Sequence, residues 1–233
     1  MKPKLYLIPN LLGSDGKLNK ALPSYNLEVI QSLNHFAVEH IKDCRRFFVR
    51  CGLKSKIDKS EFVELNKRSD ENQFAEITKW MNAGHSVGIV SDAGCPGIAD
   101  PGSKLVQWAH ENRFPVEPLI GPSSILLALI GSGMNGQSFS FHGYLDRDGN
   151  QRKKQVQQME VHCKQQTQLF METPYRNEAL MEDLLKYLHP NTSLCVAVDL
   201  SLASEEIRRA SIAEWRKMKI KLHKRPAIFL IGQ

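Results

Sequence analysis

Short apolar runs alternate with amphipathic segments along the first half of the chain. Such runs, when turn residues bound them, are typical of strands in a buried parallel sheet. The amphipathic segments predict helices; in residues 69–83, Phe74, Ile77 and Met81 share a face, Ser69 is the predicted N-cap and Gly84 the stop. The predicted strands are residues 5–8, 36–38, 87–91 and 116–120, and the predicted helices are residues 23–33, 69–83 and one opening at Asp100-Pro101.

This β-α-β-α-β order predicts an α/β domain with a mostly parallel, doubly wound sheet. Open sheets of this kind bind ligands beyond the carboxyl ends of their strands. The loop after Ser91 lies at such an end, so we expect a ligand-binding site there.

The pattern changes after Gly121. A short helix is predicted from residues 121–124 to a stop at 131–133, and the polar segment 146–168 predicts a solvated helix with loop ends. Further strands are predicted around Phe139 and Phe141 and at 169–171, 194–198 and 227–231, with a helix at 176–188. We therefore expect a second α/β domain, dividing the chain into residues 1–119 and 120–233.

Composition narrows the class of protein. The 233 residues are 42% apolar, enough for a sizeable core, and the net charge of +6 favours approach to RNA or another polyanion, although an ordinary mildly basic protein explains it equally well. Five cysteines without a C-x-x-C, and no Cys/His cluster at ligand spacing, predict a reducing compartment and no metal. The amino-terminal apolar stretch is too short for a secretory signal, and the longest aliphatic run, 125–130, is too short to span a bilayer, so we expect a cytoplasmic protein without a membrane partner.

The loop at residues 91–102 carries the strongest signal for a site. It places three Gly, two Pro and two Asp between a strand and a helix. Glycine lets backbone approach a ligand closely, and proline lowers the entropy cost of ordering the loop on binding. Residues 121–124 are similar in kind, since they follow a strand and open a helix. The alternative in each case is an ordinary tight connection.

Residues 131–136 match G-x-G-x-x-G, but a helix precedes them and a strand pattern follows. A dinucleotide fingerprint needs the opposite order, so we interpret this segment as a helix stop.

Two basic stretches are candidates for RNA contact. Arginines and lysines surround Phe47 and Phe48, which either stack bases or belong to the core. Between Arg208 and Arg225 there are eight Lys or Arg residues and one acid, Glu214; a solvated helix face is the alternative.

Taken in order, the motifs resemble those of the tetrapyrrole methylase superfamily. They are a proline-ended first strand, then S-D-A-G-C-P-G-I-A-D-P-G, P-L-I-G-P-S-S, F-H-G-Y-L and F-M-E-T-P-Y-R. Within that superfamily the chain is most similar to the enzymes that methylate a cytidine ribose 2′-oxygen in small-subunit ribosomal RNA. The resemblance runs from Leu5 to about Phe229.

The resemblance implies an S-adenosylmethionine-dependent methyltransferase of two α/β domains, with the cofactor in the cleft between them, an RNA substrate and a homodimer. Glu39 is the implied candidate base and Lys42 the candidate electrostatic support, a surface ion pair being the alternative. The implied cofactor contacts, largely through backbone, are Leu12, Asp92, Ala93, Gly94, Cys95, Pro96, Ser123, Ser124, Met171, Glu172, Val198, Pro226 and Ala227.

The chain departs from the family pattern at several loops. The first loop reads P-N-L-L-G-S for P-T-P-I-G-N, Cys95 replaces a threonine, and E-D-T-R becomes E-H-I-K at 39–42. E-L-T-K becomes D-L-S-L at 199–202, and K-G-E becomes K-R-P at 224–226. The missing lysine and glutamate favour one alternative, a non-catalytic protein that binds the cofactor or RNA; the other alternative is a tetrapyrrole methyltransferase.

Overall fold

The computed structural model describes residues 2–65, 71–98 and 102–233. The chain divides into two compact units, Met1–Pro122 and Ser123–Gln233. The sequence-based boundary between residues 119 and 120 lies just before this division. The predicted caps Ser69 and Asp100-Pro101 lie outside the described residues.

The first unit contains a five-stranded parallel sheet in the order β3-β2-β4-β1-β5. This confirms the predicted doubly wound parallel arrangement; β3 was missed because Glu61 and Glu64 flank its two apolar residues. The strands are β1 (Leu5–Ile8), β2 (His35–Val38), β3 (Glu61–Glu64), β4 (Val87–Val90) and β5 (Val116–Pro118). The helices are α1 (Leu18–Ala21), α2 (Ser24–Ser32), α3 (Ile41–Arg50), α4 (Lys54–Ile57), α5 (Glu71–Asn82) and α6 (Ser103–Glu111).

Helices cover both faces of this sheet. Successive strand residues point to opposite sides, so each strand contributes side chains to both cores. Phe36 and Val38 join the core formed with α2 and α3, whereas Ala37 joins the core formed with α5 and α6. Phe47 and Phe48 are buried in the first of these cores. They therefore pack the fold, and the base-stacking interpretation of this pair is wrong.

The second unit contains a mixed five-stranded sheet in the order β6-β7-β10-β8-β9. Strands β6 and β7 are parallel, and the remaining neighbours are antiparallel. The strands are β6 (Phe139–Tyr144), β7 (Thr167–Met171), β8 (Ser193–Val198), β9 (Glu206–Ser211) and β10 (Ala227–Gly232). The helices are α7 (Ser124–Ser132), α8 (Gly149–His162), α9 (Asn177–Tyr187) and α10 (Ile212–Trp215).

Three predictions for this unit have clear outcomes. The segment 131–136 is a helix stop, since Gly133 caps α7 in the left-handed conformation and a strand follows. Helix α8 is not simply solvated, because it buries Val156 and Met159, and Thr167 and Gln168 belong to β7. The helix proposed as an alternative for 208–225 is wrong: this stretch contains β9, one short helix and turns.

Within the part of the chain that the structure describes, none of the helices has the length and apolar character needed to cross a membrane.

Candidate functional site

Asn10 fastens the loop after β1 to the loop after β4. Its amide nitrogen donates to the carbonyls of Ser91 and Asp92, both at 3.1 Å, and its side-chain oxygen accepts from the Leu11 amide at 2.8 Å. Its backbone pairs with Gly94 in both directions, at 2.9 and 3.2 Å. These strands are neighbours in the sheet, so one buried amide fixes the shape of both loops. Sequence reasoning missed this role, although an Asn directly after a strand-ending proline is a turn signal.

Two glycines allow close backbone approach at the same edge. Gly94 has a φ of 68°, in the left-handed region, and a Cβ there would lie 3.3 Å from the Leu12 side chain. At Gly121 a Cβ would lie 2.2 Å from Cγ of Pro9, well inside van der Waals contact. The predicted cofactor residues Leu12 and 92–96 are therefore brought together by the fold of the first unit.

Hydrogen bonds tie the rest of this loop down. The Ser91 hydroxyl donates to the Gly94 carbonyl at 2.8 Å, and the Cys95 thiol contacts the Pro122 carbonyl at 3.5 Å. Burial raises the pKa of the Cys95 thiol. Ala93, at the tip, is exposed. The loop is a constrained structure that presents backbone at its tip.

The predicted catalytic residues follow β2, the strand beside β4. Glu39 is half-buried and Lys42 is exposed in the first turn of α3. Between them, His40 Nδ1 lies 2.5 Å from Oδ2 of Asp92. The hydrogen bond to Asp92 is the largest cause that raises the pKa of His40, and the negative charges of Glu39 and Glu64 act in the same direction.

Glu39, His40 and Asp92 place one nitrogen or oxygen each within 4.8 Å of one another. His40 and Asp92 are hydrogen-bonded to each other, and a cation would have to open this contact. The predicted absence of a metal stays a prediction.

The second unit brings another part of the predicted set together. Strand β10 runs antiparallel between β7 and β8, so its start lies beside their ends: Ala227 pairs with Val198, and Ile228 with Met171. The Pro226 carbonyl accepts from the Asp199 amide at 3.0 Å. Separately, Ser123 caps α7, and its hydroxyl accepts from the Leu126 amide at 3.4 Å.

Two ion pairs hold the loops around β7, β8 and β10. The buried carboxylate of Glu172 accepts from Arg176 at 2.5 Å and from the Thr173 amide at 2.6 Å. Asp199 accepts from Arg225 at 2.7 Å, so the pair joins the two loops that depart from the family pattern. Sequence reasoning missed this pairing, because opposite charges 26 residues apart carry no local signal.

The basic stretch 208–225 divides by residue type. Its arginines bind the protein itself: Arg208 pairs with Glu206, Arg209 with the Ser132 and Gly133 carbonyls, and Arg216 with the Leu185 carbonyl. Its lysines are exposed, and they are Lys217, Lys219, Lys221 and Lys224. Arg209 and Arg216 are exposed as well, so lysine and arginine together carry the exposed positive charge of this stretch.

The two sheets with their helices, and the glycine-rich and proline-rich loops at the strand ends, define the molecule as an α/β protein. The sequence pattern of the family described as "Tetrapyrrole (Corrin/Porphyrin) Methylases" matches residues 28–215. The chain belongs to this family.

Among characterised relatives, the chain is 28% identical over 212 residues to "Ribosomal RNA small subunit methyltransferase I" of Vibrio cholerae, covering 91% of this chain and 70% of that protein. It is 28% identical over 210 residues to the protein of the same name from Bacillus subtilis, covering 90% of this chain and 68% of that protein.

Solved structures share the fold. The uroporphyrin-III C-methyltransferase of Thermus thermophilus superposes with a TM-score of 0.58 at 19% identity, covering 100% of this chain and 93% of that one. The methyltransferase CobJ gives a TM-score of 0.65 at 14% identity, covering 100% and 95%. A second structure of the Thermus thermophilus enzyme, in complex with "S-adenyl homocysteine", gives 0.55 at 16% identity, covering 99% of this chain and 97% of that one.

Proposed function

We propose that this protein transfers the methyl group of S-adenosylmethionine to the ribose 2′-oxygen of a cytidine in small-subunit ribosomal RNA. The observation that carries the proposal is the alignment, over nine-tenths of the chain, with relatives named as methyltransferases of that RNA. The likeness to tetrapyrrole enzymes is at 19% identity or below, and it supports the fold without selecting a tetrapyrrole substrate.

The cofactor is proposed to bind at the two constrained strand-end regions described above. In the first unit, Leu12 and the 92–96 loop offer backbone at a tip that Asn10 holds in place, which lowers the entropy cost of binding. In the second, Ser123, Ser124, Met171, Val198, Pro226 and Ala227 are the proposed contacts. At Glu172 a contact would come from backbone, since its carboxylate is engaged by Arg176. The predicted cofactor position between two domains stays a prediction.

Methyl transfer from a sulfonium is an in-line displacement, so the protein mainly supplies alignment and a place for the proton of the acceptor. The residues that follow β2 are the proposed source of this help. The sequence-based candidates, Glu39 as base and Lys42 as electrostatic support, lie there, next to the exposed His40. A homodimer and a cytoplasmic location also stay predictions.

The departures at 199–202 and 224–226 bear on the non-catalytic alternative. Asp199 and Arg225 occupy these two loops and form an ion pair, and Arg225 also donates to the Ser204 carbonyl at 2.8 Å. The two loops therefore hold each other in place, so the departures from the family pattern leave this part of the fold supported.

Calorimetry and mass spectrometry test the proposal in order. S-adenosylhomocysteine should bind the purified protein, and ribosomal RNA from cells that lack the gene should lose one ribose methyl, which the wild-type gene restores. If neither S-adenosyl compound binds at millimolar concentration, the cofactor claim is wrong. If the cofactor binds and no ribosomal RNA modification changes on deletion, the acceptor claim is wrong, and a tetrapyrrole methyltransferase or a binding-only protein is left.

RNA binding has its own test at the exposed lysines. Affinity for a small-subunit ribosomal RNA fragment should fall steeply with salt, because lysines release counterions from phosphates. Changing Lys217, Lys219 and Lys221 to glutamine should reduce the salt slope by about 2, at roughly 0.7 per phosphate contact on single-stranded RNA. A matched triple change of Lys153, Lys154 and Lys164, around helix α8, is the control. An equal loss in both variants would show that net charge alone is responsible.

A further inference from the structure

His40 and Asp92 form a dyad on two loops that the sheet places side by side. His40 follows β2 and Asp92 follows β4, and these strands pair directly, with Val38 opposite Val90. The side chain of His40 is 54% exposed and that of Asp92 is 30% exposed. With Asp92 ionised, Nδ1 carries a proton and donates it to the carboxylate, so Nε2 holds a lone pair on an accessible ring.

The charged groups around the ring are predominantly acidic. Asp92 faces it from the β4 loop, Glu39 precedes it after β2, and Glu64 contributes from the end of β3 while accepting from the Ile41 amide at 3.0 Å. Lys42 lies two residues on in α3, and Cys44, whose pKa is raised by burial, stays neutral. An imidazolium formed here would be stabilised by these carboxylates.

We propose that His40 accepts the proton of the acceptor hydroxyl during methyl transfer, and that Asp92 is a positioning residue that fixes its tautomer and stabilises the imidazolium. This inference rests on the proposed methyltransferase function and deepens it. Position 40 is one of those at which the chain departs from the family pattern.

The step balances without a further reactant. The acceptor oxygen attacks the sulfonium methyl carbon while the S–CH₃ bond breaks. The electron pair of that bond stays on sulfur, which gives S-adenosylhomocysteine with a neutral sulfur. The hydroxyl proton moves to Nε2 of His40 and later leaves to solvent.

Histidine suits this step better than the neighbouring glutamate. A glutamate ordinarily has a pKa of about 4.3 and a histidine of about 6.5, and general bases work best when their pKa lies near the operating pH. In this chain the carboxylates move the pKa of His40 further toward that range. Glu39 thus acts on the reaction through His40.

Single-turnover methyl transfer to small-subunit ribosomal RNA, measured as a function of pH, tests the dyad. The wild-type rate should rise with pH through a limb above 6.5 and then level off. In Asp92→Asn the limb should move to lower pH, since the charge that raises the pKa of His40 is gone. His40→Asn should lose the limb and about 100-fold in rate, the low end for a general base. His110→Asn, at the exposed end of α6, is the matched control and should behave as wild type.

Rescue and titration separate chemistry from folding. Because His40 is exposed, added imidazole should restore transfer in His40→Gly but not in His40→Asn. A pH titration of the histidine ring signals by NMR, on the full chain without RNA, should give His40 a pKa above 6.5. In Asp92→Asn this pKa should fall.

Three results would overturn the dyad: a wild-type rate that is flat from pH 6 to 9, full activity in His40→Asn, or a His40 titration that Asp92→Asn leaves unmoved. If only Glu39→Gln abolishes transfer while His40→Asn retains it, the base is Glu39. Wild-type protein that transfers no methyl to any ribosomal RNA would refute the proposed function itself, which the NMR titration distinguishes from failure of the dyad.

Discussion

Replacing Asn10 with alanine is the sharpest test of how the first unit holds its candidate cofactor loop. The side chain makes three hydrogen bonds, to the carbonyls of Ser91 and Asp92 and from the amide of Leu11. Asn10, Leu11 and Ser91 are all buried. The substitution therefore leaves backbone groups without partners where water does not easily replace them.

The expected loss follows from these bonds. Each contributes about 1 kcal/mol net, and a buried group left unsatisfied costs about 1–3 kcal/mol, so Asn10→Ala should lower the free energy of unfolding by about 3 kcal/mol. Asn10→Asp keeps the acceptor for Leu11 but turns a buried carboxylate oxygen toward two carbonyl oxygens, so it should destabilise at least as much as alanine. Loosening the 91–96 loop should also weaken S-adenosylhomocysteine binding about tenfold, or roughly 1.4 kcal/mol.

Urea unfolding and calorimetry measure the two effects separately. Ile77→Ala is the matched control for lost stability. Ile77 lies on α5 and is fully buried in the core, so its truncation should also cost about 3 kcal/mol. That variant should bind the cofactor product as wild type does when folded. If Asn10→Ala costs less than about 0.5 kcal/mol, or if both variants lose affinity equally, the fastening role of Asn10 is refuted.

Three further experiments test other parts of the structure. Gly121→Ala should lower stability by about 1–3 kcal/mol in thermal unfolding, since its Cβ would lie 2.2 Å from Cγ of Pro9; an unchanged melting temperature would contradict the close approach. Arg225→Met should cost about 3 kcal/mol, because it leaves Asp199, whose side chain is only 8% exposed, without its cation; Arg225→Lys should recover part of this. Burial raises the pKa of Cys195 to about 11, so at pH 8 little thiolate is present, and alkylation of Cys195, measured by mass spectrometry of its peptide, should be slow until urea unfolds the chain.

The sequence by itself determined most of the element order. Apolar runs bounded by turn residues predicted β4, β8 and β10, because a strand buried on both faces is apolar throughout. The same signal also found β1 and β5, although these two strands are only partly buried. The stop at Gly133 was also readable, since a left-handed cap favours glycine. The motif order was enough to indicate the family and the cofactor.

Elements with as many charged as apolar residues were harder to predict. Strand β3 has glutamates at both ends. Helix α3 was not predicted, because its three arginines made the segment look like a polar surface although it buries two phenylalanines. In these cases the tertiary core, and not local periodicity, decides which residues are inside.

Tertiary structure alone decided which distant side chains meet. Nothing near Asn10 in sequence indicates that its amide grips a loop 81 residues away, nor that His40 lies against Asp92. The sequence offered Arg225 as a candidate for RNA contact, whereas in the fold it forms an ion pair with Asp199. The reason is physical: hydrogen bonds and ion pairs depend on angstrom-scale placement, which the pairing order of the strands sets, whereas hydrophobic periodicity is written along the chain itself.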